Sequence, residues 1–123
     1  MTLNQFENQQ YMNIETFRKN GEGVRTPVWF VQDADTLLVW TGAASGKVKR
    51  IRRDDLVRVA PSDASGNTFG EWVKARACAD DSVDAVQYAE KLMRKKYGFM
   101  FSVFSGLSKL RKAKSAILKV TLS

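Results

Sequence analysis

Apolar and polar residues alternate early in the chain, where Met12, Ile14 and Thr16 interleave with Tyr11, Asn13, Glu15 and Phe17. A period of two marks a β-strand with two distinct faces. Asn20-Gly21-Glu22-Gly23 reads as a hairpin turn, because these residues accept the backbone angles tight turns need. Val28 to Val31 is almost continuously apolar, as a strand buried on both faces would be. Asp33-Ala34-Asp35 is a further turn, and Thr36 to Thr41 makes a third strand. Val48 and Ile51 then lie three apart within a run of cations, the buried stripe of a short helix. Leu56 to Ala60 predicts a fourth strand, stopped by Pro61.

The polar, glycine-bearing stretch Ser62 to Thr68 predicts an exposed, mobile loop. From Trp72 to Cys78 the alternation returns, with Val73, Ala75 and Ala77 on one side and Lys74, Arg76 and Cys78 on the other. A helix capped by Asp80, Asp81 or Ser82 follows. Its stripe runs through Val83, Val86, Ala89 or Glu90, Met93 and Tyr97, and it ends at Gly98. Ala116 to Leu122 is the sixth strand. Residues 99–114, apolar then basic, read as a second short helix or a lid. The expected fold is mainly β (α+β), a six-stranded antiparallel barrel with short helices, forming one domain over residues 1–123.

Composition narrows the chemistry. At 123 residues and 44% hydrophobic content the chain can bury a modest core. No window is apolar and long enough to span a membrane, and the polar start, with Glu7, does not read as a signal peptide. With the lone Cys78 this gives a cytoplasmic expectation. The absence of histidine has the widest consequences. It removes Ser-His-Asp and Cys-His catalysis and His-ligated zinc. The paired aspartates Asp33/Asp35, Asp54/Asp55 and Asp80/Asp81 stand at turns and helix starts, so no metal site is expected. A protein so poor in acid–base groups catalyses most readily when a cofactor carries the reaction. The formal charge of +7 favours an acidic partner without choosing one.

The candidate chemistry lies in Ser45-Gly46-Lys47-Val48-Lys49-Arg50-Ile51-Arg52-Arg53, directly after the third strand. A serine cap, a glycine and the free amides of a first helical turn make an anion site, with Lys47 beside them. A solvated basic helix across a barrel mouth is the plainer account of the same run. Lys47 and Arg50 share one face, and Lys49 and Arg53 another. The Lys47/Arg50 face is the expected ligand side, with Lys49 secondary. Trp29 and Phe30 read as core or interface, and Trp40 and Trp72 as core residues able to stack on a ring.

The ordered set Thr16-Phe17-Arg18-Lys19, Thr26-Pro27-Val28-Trp29-Phe30, Ser45-Gly46-Lys47-Val48-Lys49-Arg50 and Val59-Ala60-Pro61 resembles the flavin-binding split-barrel superfamily related to pyridoxamine 5'-phosphate oxidase. Within it the chain is most similar to the small coenzyme F-420-dependent oxidoreductases. The likeness spans about Tyr11 to Ala79, with weaker support from Lys96-Tyr97-Gly98. It implies a six-stranded split barrel of the FMN-binding type. It also implies a homodimer with coenzyme F-420 or FMN at the subunit interface. Carried over residue by residue, Thr26, Pro27 and Val28 would contact the ring through their backbone. Ser45, Gly46 and Lys47 would hold the phosphate, with Thr41, Lys49 and Arg50 nearby.

The implied activity is hydride transfer to a small organic acceptor, and the alternative is a non-catalytic carrier of the same cofactors. A polyglutamate tail on F-420 would suit the basic surface. No RNP-like or KH-like motif is present, so neither a nucleic-acid nor a membrane partner is expected. The chain is much shorter than the true pyridoxamine-phosphate oxidase, whose own reaction is not expected. Tyr11, Tyr88 and Tyr97 are the candidate proton donors, and their spacing selects none of them.

Overall fold

The computed structural model describes residues 3–103 and 114–122. Within them lie seven strands and two helices described over their full length: β1 (Tyr11–Phe17), β2 (Gly23–Trp29), β3 (Val31–Asp33), β4 (Thr36–Gly42), α1 (Gly46–Arg53), β5 (Leu56–Ser62), β6 (Val73–Asp80), α2 (Val83–Tyr97) and β7 (Ser115–Leu122). A single 3-10 turn, Asn4–Phe6, precedes β1 and puts Phe6 into the core. Residues 99–103 are helical again after Gly98. Residues 104–113 of the stretch read as a helix or lid lie outside the described residues.

All ladders are antiparallel, in the order β2-β1-β5-β6-β7-β4-β3. The expectation of six strands is corrected to seven, because the apolar run Val28–Val31 breaks at Phe30. β2 pairs with β1 and β3 with β4, so neighbours in sequence stand at opposite edges of the sheet. Phe30 makes the crossing without losing its backbone hydrogen bonds. Its N–H donates to the Tyr97 hydroxyl at 3.0 Å, and its carbonyl accepts from the Lys96 ammonium at 2.8 Å. Its ring stays buried, edge-on to Phe6 with centroids 6.0 Å apart. An unbroken apolar pattern cannot register a break at which the side chain remains inside.

Pro61 does not stop β5, which continues to Ser62. The β5–β6 ladder ends at Val59 opposite Val73, so the missing amide proton of Pro61 removes no rung on that side. Trp72 falls just before β6 and instead faces the Arg25 guanidinium, 4.6 Å from its ring centroid. Ser62–Thr68 is largely exposed, yet braced. The Asp63 carboxylate accepts from the amides of Ser65 and Asn67 and from the Asn67 side chain, and Asn13 donates to the Gly66 carbonyl at 2.9 Å. These bonds to the ionised form hold the Asp63 carboxyl below the usual carboxylate range.

Two apolar layers result. The barrel interior holds Met12 and Ile14 of β1, Leu37 and Val39 of β4, Val57 and Val59 of β5, and Leu118 and Val120 of β7. Val48 and Ile51 of α1 join them. Each such side chain contributes about 1.5–3 kcal/mol on burial, enough to seat α1 despite its six cationic and glycine positions. The second layer lies outside the sheet, where Ala89 and Met93 of α2 pack with Val31, Leu38, Ile117 and Phe101. β4 is thus buried on both faces, and its end is fixed in position.

Candidate functional site

A cavity of about 450 Å³ opens where the edge strand β2 faces the end of β4. Thr26, Pro27, Val28 and Trp29 line one side, and Trp40, Thr41 and Gly42 the other. Lys47 projects into it from the first turn of α1. Tyr11, Met93 and Phe101 add apolar surface, and Lys114 and Ser115 enter from the start of β7. The described lining contains two ammonium groups and no carboxylate. Such a lining suits an anionic ligand with a largely apolar body.

The local sequence explains the placement of Lys47. Ser45 has extended backbone, and its hydroxyl accepts from the Val48 amide at 3.4 Å, which caps α1. Val48 and Ile51 then fix the rotation of the helix, so that Lys47 meets the barrel split and Lys49 meets solvent. Burial lowers the pKa of Lys47, and the nearby Arg50 cation lowers it further. A half-buried ammonium pressed by a like charge gains most from an anion beside it.

Arg50 shares the helix face of Lys47 but does not line the cavity. Its Nε donates to the Thr16 hydroxyl at 2.7 Å. Its guanidinium lies over Gly46, with Nη1 2.8 Å from where a Cβ would stand. Burial chiefly, then Arg18 and Arg53, lower its pKa. Gly46 therefore makes room for a cation folded back across the helix start.

Of the nine residues expected at the site, Thr26, Pro27, Val28, Thr41 and Lys47 surround one cavity. Ser45, Gly46 and Arg50 lie outside its lining, at the helix start that carries Lys47, and Lys49 points away to solvent. Trp29 and Trp40 prove to be walls of the cavity, and Lys114 and Ser115 were not anticipated. The last two are brought in by the β4–β7 ladder, where Gly42 pairs with Ser115. No local signal in the sequence announces that pairing.

Among the tyrosines, Tyr97 has its hydroxyl 2.6 Å from the Gln10 carbonyl, and Tyr88 donates to Asp33 at 2.9 Å. Tyr11 alone of the three reaches the cavity. The paired aspartates serve as local caps and ion pairs: Asp54 accepts from the Leu56 amide, Asp55 pairs with Arg76, and Asp80 takes the Ser82 amide and the Lys119 ammonium. Among the described residues no three metal-ligating side chains converge.

Known structures share this architecture. HutZ, a heme storage protein from Vibrio cholerae, superposes with a TM-score of 0.72 at 13% identity, over 95% of this chain and 84% of its own. A protein from Listeria innocua described as a pyridoxamine 5'-phosphate oxidase gives 0.66 at 14% identity, over 98% and 90%. An F-420 reductase gives 0.64 at 16%, over 98% and 91%. The chain has the split-barrel fold. No protein-family model and no curated protein matches the sequence. Among the described residues no helix is long and apolar enough to cross a membrane.

Proposed function

We propose that this split barrel binds coenzyme F-420, or FMN, in the cavity between β2 and β4 and passes hydride to a small organic acceptor. The observation that carries the reading is Lys47 in an aromatic-walled cavity whose described lining holds no carboxylate. Lys47 would hold the phosphate, with Arg50 strengthening the local positive field, and Trp29, Trp40 and the β2 backbone would flank the ring. The bound cofactor would supply the hydride chemistry. Tyr11, which lines the cavity, would be the phenol that gives a proton to the acceptor. The F-420 reductase among the structural neighbours favours the deazaflavin, and so does the basic face of α1, which suits a polyanionic tail. A homodimer would complete the site. The free, exposed Cys78 suits a reducing compartment.

Heme storage, the role named for the Vibrio cholerae protein, asks for an axial ligand to iron. This chain has no histidine, and among the described residues its cavity offers Tyr11 and Met93 for that purpose. Lys47 and the flanking strand backbone suit a phosphorylated ring better. Binding without turnover is the second reading, favoured by the small number of proton donors in the cavity.

Parallel titration of cofactor-free protein with FMN and with F-420, followed by tryptophan quenching, tests the proposal. Saturable binding of either, weakened about tenfold to a hundredfold in Lys47→Ala with the melting temperature unchanged, is expected for a charge-assisted phosphate contact. Unaltered affinity in that variant removes Lys47 from the site. Rapid oxidation of the reduced complex by an added quinone or dye separates an oxidoreductase from a carrier.

A further inference from the structure

Trp29 ends β2, and its indole is part of the cavity wall. On the strand side it pairs with Tyr11 of β1, whose ring stands edge-on with centroids 6.3 Å apart. A second ring, from α2, lies against its face. Tyr97 lies face to face with the indole, with centroids 4.5 Å apart and planes 8° from parallel. Tyr97 does not line the cavity itself.

The Tyr97 ring is in turn held at its far end. Its hydroxyl accepts the Phe30 N–H at 3.0 Å and has two carbonyl acceptors, Gln10 at 2.6 Å and Phe30 at 2.7 Å. A phenol has one proton, so the two carbonyls share it. Lys96 completes the set, donating to the Phe30 carbonyl at 2.8 Å with its ammonium 3.7 Å from the Phe30 ring centroid. Core packing alone would ask only for an apolar ring at this place. Here the hydroxyl binds the backbone on both sides of the crossing, and the face of the ring carries Trp29.

We propose that Tyr97, with Lys96, is a positioning residue for the cavity: it holds the Trp29 indole in the orientation against which the ligand ring packs. The inference rests on the reading that the cavity takes an aromatic cofactor. It assigns part of the affinity to the end of α2, outside the cavity. The stack is made before any ligand arrives, so it raises affinity by sparing the ligand the cost of ordering the indole, a factor of about two to ten.

A double-mutant cycle decides it. Calorimetric titrations with FMN and with F-420 would use the wild type, Tyr97→Leu, Trp29→Leu and the double variant. Tyr97→Leu should weaken binding about twofold to tenfold in the wild-type background and leave it unchanged once Trp29 is gone. Tyr97→Phe keeps the ring without its anchor and should fall between, which keeps the test open if the leucine variant fails to fold. Equal losses in both backgrounds would make Tyr97 a structural residue only and overturn the proposal. If the wild type binds neither FMN nor F-420, the cofactor reading fails first and the positioning role falls with it.

Discussion

Lys96 holds its ammonium 2.8 Å from a backbone carbonyl and over an aromatic face, without a carboxylate partner in either contact. Burial pushes its pKa down to about 8, whereas an unfolded lysine titrates near about 10.4. Between these values the unfolded chain binds more protons than the folded one, so stability rises with pH through that window. Below about pH 8 the cost of burying the charge is fully present. Urea unfolding of the wild type and of Lys96→Met at several pH values should show the wild type gaining on the variant between pH 8 and 10. A constant difference would mean that Lys96 is no more buried than a surface lysine. Lys47 obeys the same physics with a different outcome, because its lowered pKa is one that an anionic ligand would raise again. Ligand affinity should therefore fall toward alkaline pH and fall less steeply in Lys47→Ala, as titrations at pH 7 and pH 9.5 would register.

At the scale of the element, α1 is the piece most fully written in its own sequence. Its serine cap, its two apolar positions three apart and its cations all fall within nine consecutive residues, and the structure uses them locally. The strands β1 and β6 are legible from their alternation, and β4 and β7 from apolar runs that meet a core on both faces. The break at Phe30 was not legible, because what ends the strand there is Lys96 and Tyr97, distant in sequence. The cavity divides along the same line: Thr26 to Val28, Thr41 and Lys47 lie in readable segments, whereas Lys114 and Ser115 reach it through strand pairing. This division predicts how α1 responds to substitution. Ser45 spends its hydroxyl on a cap at the long end of hydrogen-bond range, 3.4 Å. Ser45→Ala should cost about 0.5–1 kcal/mol of stability and less affinity than Lys47→Ala, the reverse of the Lys47 pattern. Chemical unfolding beside ligand titration separates the two effects.

For the whole molecule, the sheet order leaves β2 and β3 as edges and puts the cavity at the gap between β2 and β4. Phe101 forms part of the cavity from the inside, while its helical neighbours Phe99 (81% exposed), Met100 (62%) and Val103 (47%) face outward. Phe99 and Val103 are four apart and Met100 and Val103 three apart, so they make one apolar face beside the cavity. Exposed apolar faces of this kind mark contact surfaces. The homodimer proposed above would bury this face and tie ligand binding to assembly. Sedimentation should then give twice the 13.9 kDa chain mass, and Met100→Glu, which sets a charge into the contact, should shift the protein to monomer. Because ligand and partner would stabilise the same assembled state, adding FMN or F-420 should drive the variant back toward dimer. A wild type that remains monomeric at micromolar concentration with ligand bound would show that one chain suffices for the site.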